Sequence, residues 1–371
     1  ESGLISELMK IGFDVLLYDG GLYVNVALHD NLKIKKHLLM FPYCIYSINA
    51  TLYEVYPSVT QVIGADYVNM SVLQRYFNII AFHIANIMHQ FFSLPHLEGF
   101  DRNNIPVSRS FYIPNPMILS QCSHSLHQAI QLPSNAKNTG TVLSRKGVEF
   151  SETHYPNVKA FIGRFERIVY ITQGTLVSIF NAEAMAGFLR SFPDIGFIVS
   201  FKSAEGIKAD NVLVLDWAPQ NDILAHPKTA AFISHGGNNS VYESFFHKVP
   251  LITMGYALDH VHLAAMVKEL ELGLSITKKQ DANFDTIKQY LVEVLSNPKY
   301  KRNAAEFSKF VKAENAKETF NYWLEYVSKF GSDNLAIREH TEMNWVEENN
   351  LDVFGSVLGL SVLVLYLLLK K

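Results

Sequence analysis

The stretch Phe232-Ile233-Ser234-His235-Gly236-Gly237-Asn238-Asn239-Ser240-Val241-Tyr242-Glu243 decides how this chain folds. Its apolar beginning reads as a buried strand that ends at His235. The two glycines permit a tight turn with close backbone approach, and a helix is expected to open near Ser240. The amides of a first helical turn, the positive end of its dipole and a Ser hydroxyl together make a cradle for phosphate. His235 and Asn239 are placed to donate to the same anion. The same pattern also serves as an ordinary strand-to-helix turn, so it fixes the element order before it fixes a ligand. No Gly-x-Gly-x-x-Gly and no Walker loop occur, which disfavours a nicotinamide or ATP site.

Outward from this turn, short β-branched runs alternate with helical stretches. Strands are expected over 168–172, 197–201, 212–217, 229–235 and 251–254, and helices over 181–192, from about 240 and over 259–270. Alternation at this spacing means a parallel sheet wrapped by helices, with ligands beyond the carboxyl ends of its strands. The half before residue 150 is less regular. It holds a strand over 13–18 and an amphipathic helix within 77–92. There Phe77, Ile80, Ile84, Ile87, Met88 and Phe91 recur at three- and four-residue intervals, a face that packs on a core or lines an apolar small-molecule pocket. After Phe284 the chain reads as helices. Tyr322, Trp323, Tyr326 and Phe330 form an aromatic stripe suited to packing on a domain rather than to holding a cofactor.

Composition sets the outer limits. Of 371 residues, 49% are hydrophobic and only 18% charged, which excludes intrinsic disorder and gives room for about two domains. Lys and Arg number 32 against 35 Asp and Glu, a net charge of -3, so no electrostatic footprint for nucleic acid exists. The two cysteines, Cys44 and Cys122, make at most one bridge and no thiolate metal site. Cys122-Ser123-His124-Ser125-Leu126-His127 lacks a fourth ligand, and helical geometry spreads Asp259, His260 and His262 around an axis, so no metal is expected.

The residues 353–369 form a charge-free run, at the short limit for a span of about 30 Å of hydrocarbon. Its twelve Val, Leu and Phe residues contribute a gross insertion drive on the order of -4 to -7 kcal/mol. Lys370 and Lys371 follow, while Glu347, Glu348 and Asp352 precede it. The positive-inside rule then puts residues 370–371 in the cytosol and everything before 350 across the membrane. That orientation needs an export signal, and Glu1 to Lys10 offers none, so a removed leader or an incomplete sequence is expected. Asn49-Ala50-Thr51 and Asn69-Met70-Ser71 are glycosylation sequons compatible with that side. A third, at Asn238, sits inside the turn and is expected to be unused.

Further chemistry gathers upstream and downstream of the glycine turn. Asp216-Trp217-Ala218-Pro219-Gln220-Asn221-Asp222-Ile223-Leu224 ends another strand with an indole and an amide at the same sheet edge. An indole offers a stacking face to a planar base, about 1–3 kcal/mol, and a Gln presents the donor and acceptor that a uracil edge needs. Packing is the other use of such a Trp. Glu243, expected three residues into its helix, can accept from a ribose hydroxyl or serve as the ordinary dipole partner. Asp259 and His260 open another helix and can hold sugar hydroxyls.

Trp217-Ala-Pro-Gln220-Asn-Asp-Ile-Leu-Ala-His226-Pro, then His235-Gly-Gly-Asn-Asn239-Ser240-Val-Tyr-Glu243 and Asp259, resembles the donor signature of the UDP-glycosyltransferases, in particular their animal membrane-anchored UDP-glucuronosyltransferase branch. The resemblance implies an α/β fold of GT-B type: two facing Rossmann-like domains plus one C-terminal transmembrane helix. Residues 1–155 would be a partial acceptor domain, 156–340 the UDP-sugar domain, and 353–369 the membrane helix. It assigns Trp217 and Gln220 to uracil, Glu243 to ribose, Asp259 and His260 to the sugar. His235, Gly236, Gly237, Asn239 and Ser240 fall to the phosphates, with Thr175 beside them. Asp19, at the end of Phe13-Asp14-Val15-Leu16-Leu17-Tyr18-Asp19, takes the place of the acid that orients the catalytic His.

The implied reaction moves glucuronic acid or glucose from a UDP-sugar to a small lipophilic acceptor with inversion. It needs no cofactor, and homo- or hetero-oligomers are left open. Endoplasmic-reticulum placement as a single-pass type I protein follows from the resemblance alone. The alternative is a membrane-anchored binder or partner subunit without the base. Some positions depart from the family: Glu1 to Gly12 contain no His, His260 stands for a Gln, Leu263 for an Asn, Lys248 for a Gly and Gly255 for a Pro.

Overall fold

The computed structural model describes residues 7–8, 10–19, 31–41, 71, 73, 116–123, 134–173, 182–200, 204–255, 259–276, 283–335 and 351–369. Thr175, the asparagines of both N-terminal sequons and the amphipathic stretch 77–92 lie outside the described residues. The first unit is a four-stranded parallel sheet in the order β1 (Val15–Asp19), β2 (Lys36–Phe41), β3 (Met117–Ser120), β4 (Ala136–Asn138). The strand expected over 13–18 begins two residues later, so Asp19 becomes the last residue of β1 and pairs across to Met40.

The second unit follows the alternation expected from the sequence. Its elements in chain order are α1 (Pro156–Gly163), β5 (Arg167–Thr172), α2 (Ala182–Arg190), β6 (Ile195–Ser200), β7 (Val212–Val214), α3 (Gln220–Ala225), β8 (Thr229–Ser234), α4 (Asn238–Phe246), β9 (Leu251–Met254), α5 (Asp259–Glu269), β10 (Gly273–Ile276), α6 (Phe284–Ser296) and α7 (Pro298–Ala313). The six strands lie parallel in the order β10-β9-β8-β5-β6-β7. Both faces are covered, which is why the strands read as near-continuous apolar runs. Along β5, Ile168 and Tyr170 enter the core beneath α4, while Val169 and Ile171 enter the opposite core beneath α2 and α6. The strand expected over 212–217 stops at Val214 because β7 is the half-buried edge strand and Pro219 lies just beyond.

In this order the chain builds outward from β5 to β7 in one direction, then restarts beside β5 with β8. The switch therefore falls between the carboxyl ends of β5 and β8, where Thr172 pairs with Ser234. A crevice opens at such a point because the two connections leave to opposite faces. The His235-Gly236-Gly237 turn emerges there.

α8 (Ala316–Phe330) leaves the second unit and covers the first sheet. Val327 packs with Leu38, Met117 and Leu119, and Trp323 and Leu324 lie against them. Only part of the aromatic stripe is thus used for packing; Tyr322 and Phe330 are exposed. Two hydrogen bonds also tie the end of β3 to α4: Asn238 Nδ2 donates to the Gln121 carbonyl at 2.9 Å, and Tyr242 Oη accepts from the Ser123 amide at 2.8 Å. Asn238 is consequently buried in the helix start, and this third sequon is not available for glycosylation. Cys122, between those two contacts, is disulfide-bonded, and Cys44 is the chain's other cysteine.

The last helix, α9 (Leu351–Leu369), has 19 residues. Among the described residues no helix is long and apolar enough to cross a membrane. The expected transmembrane span is not shown there, although the helix itself forms where it was expected and exposes Val353, Val357, Leu358 and Leu360.

α4 ends in a Schellman arrangement, with Lys248 N donating to the Phe245 carbonyl at 3.0 Å and Val249 N to that of Ser244 at 2.8 Å. The position that closes this motif needs a left-handed backbone, and Lys248 adopts φ 62° there. Its Cβ makes that conformation costly. Lys248→Gly is expected to stabilise the chain by about 0.5–1 kcal/mol and raise its melting temperature by roughly 2 °C. Lys312, held below the ordinary lysine range by burial and then by Lys248, loses a like-charged neighbour in the same variant.

Candidate donor-nucleotide site

α4 begins at Asn238, two residues earlier than the sequence suggested, with Gly237 as its N-cap at φ -66° and ψ 150°. No side chain caps this end. The amides of the first turn therefore face the crevice at the β5–β8 switch, with the positive end of the helix behind them. Gly236 reaches the turn with φ 89°, a conformation reserved in practice for glycine. Gly237 is needed for a different reason. A Cβ on it would lie 2.5 Å from His235 Nε2, so the imidazole folds over the helix start only because this position is bare.

The orientation of His235 is set from behind. Ser234 Oγ lies 3.3 Å from His235 Nδ1 and accepts the Gly236 amide at 3.2 Å. With that amide donating, the hydroxyl proton is free to point at Nδ1, the tautomer that leaves Nε2 as a donor toward the helix start. Burial, with the neighbouring His260, lowers the His235 pKa to about 4. The ring is therefore neutral at pH 7, and an anion meets an N-H donor rather than a resident cation. His260 stacks edge-on against it, ring centroids 4.9 Å apart.

Three of the expected residues meet directly. Gln220, the first residue of α3, donates from Nε2 to Glu243 Oε2 at 2.6 Å and to Ser240 Oγ at 3.3 Å. Glu243 lies in the second turn of α4, whose first turn holds no acid. The dipole-partner reading of Glu243 thus falls away. Burial raises its pKa, against the Gln220 hydrogen bond. Because Glu243 and Ser240 take the two hydrogens of the amide nitrogen, the Gln220 Oε1 keeps a fixed sense, as an acceptor, toward a nucleobase edge.

Trp217 precedes α3 and is 74% exposed, so the indole is not a core residue and its face is open for stacking. Asn239, at the second helical position, has a buried Oδ1 without a partner among the described residues. Asp259 opens α5 by its backbone; its side chain, like Thr175, lies outside what is described. Asp19 ends β1 in the first sheet, half-buried.

Two features escaped the sequence. Ser234 carried no signal beyond its place next to His235, because an orienting hydroxyl has no spacing rule of its own. Gly255, noted only as a replaced proline, is required by proximity: a Cβ there would sit 2.4 Å from the His260 carbonyl oxygen. The bare position lets α5 start close to the end of β9 and sets His260 against His235.

Comparison with known proteins gives the fold and the family. Solved structures with the same fold include the spinosyn forosaminyltransferase SpnP, TM-score 0.59 and 14% identity, covering 88% of this chain and 79% of that one. Another is the glycosyltransferase VinC in complex with dTDP, TM-score 0.57 and 14% identity over 89% of this chain and 75% of that one. At such identities the likeness establishes the two-unit α/β architecture alone. Among curated relatives, rabbit (Oryctolagus cuniculus) UDP-glucuronosyltransferase 2B13 is 29% identical over 212 residues, 55% of this chain and 39% of its own length. Human (Homo sapiens) UDP-glucuronosyltransferase 2A1 is 30% identical over 164 residues, 43% and 31% respectively. The matches span less than half of those relatives. A family match, by contrast, runs from residue 2 to residue 371. The chain belongs to the UDP-glucoronosyl and UDP-glucosyl transferase family.

Proposed function

We propose that the protein binds a UDP-sugar at the β5–β8 switch and takes part in moving its glucuronic acid or glucose to a small lipophilic acceptor, with inversion at the sugar carbon. The observation that carries this reading is the meeting of Gln220, Ser240 and Glu243 beside an uncapped helix N-terminus overhung by His235. Uracil lies on Trp217 with its edge toward Gln220, ribose reaches Glu243, and the diphosphate rests on the first turn of α4. As the glycosidic bond breaks, charge grows on the departing diphosphate. The amides of α4, Ser240 and His235 Nε2-H are fixed donors to that charge, each contributing on the order of 1–3 kcal/mol.

The hydroxyl of the acceptor must lose its proton to a base held opposite the sugar. Asp19, at the carboxyl end of β1, is suited to orient such a base across the crevice. Asp259 and His260 are suited to the sugar hydroxyls. Attachment to a membrane through α9 belongs to the same reading: 19 helical residues are about 28 Å long, Lys370 and Lys371 follow, and the one acid, Asp352, stands in the first turn. The disulfide at Cys122 fits an oxidising lumenal side, consistent with the endoplasmic reticulum.

Calorimetric titration with UDP-glucose tests the site, and absence of binding overturns the proposal. This probe, unlike UDP, has no terminal phosphate titrating near pH 6. His235 is neutral in the free chain, with a pKa near 4, and an anion beside Nε2 raises that value. Protons are therefore taken up on binding, and affinity gains as pH falls from 7 toward 5. Titrations in buffers of different ionisation enthalpy measure the uptake, which His235→Ala removes. If uptake persists in that variant, the diphosphate does not lie against this ring.

A further inference from the structure

We propose that Asp222 is a positioning residue for nucleobase recognition: it pins the connector between the two units, residues 139–155 between β4 and α1, to the first turn of α3 and so holds Gln220 in place. This deepens the assignment of Gln220 to uracil and rests on it.

Asp222 is two residues after Gln220 and only 2% exposed. A buried carboxylate needs partners on several sides, and all of its partners except the adjacent Asn221 come from the connector. Arg145 grips it with both arms, Nη1 to Oδ1 at 2.9 Å and Nη2 to Oδ2 at 3.2 Å. The Val148 amide donates to Oδ1 at 2.9 Å, and His154 Nε2 lies 3.4 Å from Oδ2. Burial opposes the charge, but these donors outweigh it and leave the carboxyl below its usual range.

Asn221 extends the clamp. Its Oδ1 accepts the Arg145 amide at 3.3 Å and lies 2.9 Å from His247 Nε2, so the first turn of α3 is tied at once to the connector and to the end of α4. Gly147 presses so close that a Cβ there would fall 2.1 Å from the Ala225 Cβ. Beside these contacts lies a cleft of about 390 Å³ whose lining includes Lys146, Glu149 and Lys312. α3 has only six residues, too short to hold its own first turn by helical hydrogen bonds. Gln220 is the end of that turn, and its fixed sense toward a base depends on where the turn sits.

UDP and CDP are the probes, titrated calorimetrically into the wild-type chain, Asp222→Asn and Arg145→Gln. Arg145 is half-exposed, with 52% of its side chain in solvent, and without it the carboxylate keeps the Val148 amide, Asn221 and His154, so Arg145→Gln is a second, independent disruption of the same clamp. Both variants are expected to lose about tenfold in UDP affinity and much less for CDP, because a displaced Gln220 no longer discriminates the base edge. A general weakening of the fold would lower both affinities alike. Folded variants that bind UDP as the wild type does, or that lose UDP and CDP equally, overturn the positioning role while leaving the UDP site standing. A wild-type chain that binds no UDP overturns the uracil assignment itself and the positioning role with it.

Discussion

Trp217→Ala is expected to weaken UDP binding by roughly 5- to 150-fold, the range that corresponds to 1–3 kcal/mol of base stacking. The indole is 74% exposed in the free chain and belongs to none of the buried clusters of the second unit. Its removal therefore costs the fold little, and the melting temperature should stay within about 2 °C. This separation gives the experiment its force, since an interior Trp would lose stability and affinity together. Calorimetry with UDP and with inorganic pyrophosphate distinguishes the contributions. UDP binding falls in the variant, while pyrophosphate, which has no base, binds equally well to both proteins. Unchanged UDP affinity would mean that the base does not lie on this face, and the nucleotide reading of the crevice would lose its main support.

The second large effect concerns stability and owes nothing to function. Gly273 opens β10 opposite Leu251 of β9, and a Cβ there would lie 1.8 Å from the Leu251 carbonyl oxygen. That atom belongs to a parallel sheet buried on both faces and cannot turn aside as a flexible side chain can. Gly273→Ala must push β10 away from β9, at a cost on the order of 3 kcal/mol. Thermal unfolding followed by circular dichroism should show a fall of roughly 6–10 °C. A melting temperature within about 1 °C of wild type would contradict the close pairing of these two strands.

The strand and helix order of the second unit was legible because its signals are local. β-branched runs such as Ile168-Val169-Tyr170-Ile171 have few other uses than a strand buried on both faces. The expected strand over 251–254 is β9 itself, and the helix expected over 259–270 ends one residue early. Boundaries drifted where a neighbour decides them. α4 starts at Asn238 rather than Ser240 because Gly237 takes the capping backbone angles, and that shift turned Glu243 from a first-turn acid into a partner of Gln220. Trp217 could not be placed from sequence, as an indole serves packing and stacking equally well; its exposure separates the two. α8 read as one more helix after the second unit, yet its Val327 lies in the core of the first sheet, a destination no local pattern encodes.

By itself the sequence determined the alternating α/β order, the glycine turn between β8 and α4, and the residue types around it, because periodicity and backbone permissiveness act over a few neighbouring residues. Only the tertiary structure decided that Gln220, Ser240 and Glu243 touch, that Ser234 turns His235 toward the helix start, and that Asp222 is held by Arg145 from another segment. These are contacts between residues from 20 to 77 positions apart or settled by one hydrogen on one ring nitrogen. They exist once the parallel strands are stacked in register, since only then do separate turns arrive at the same edge of the sheet.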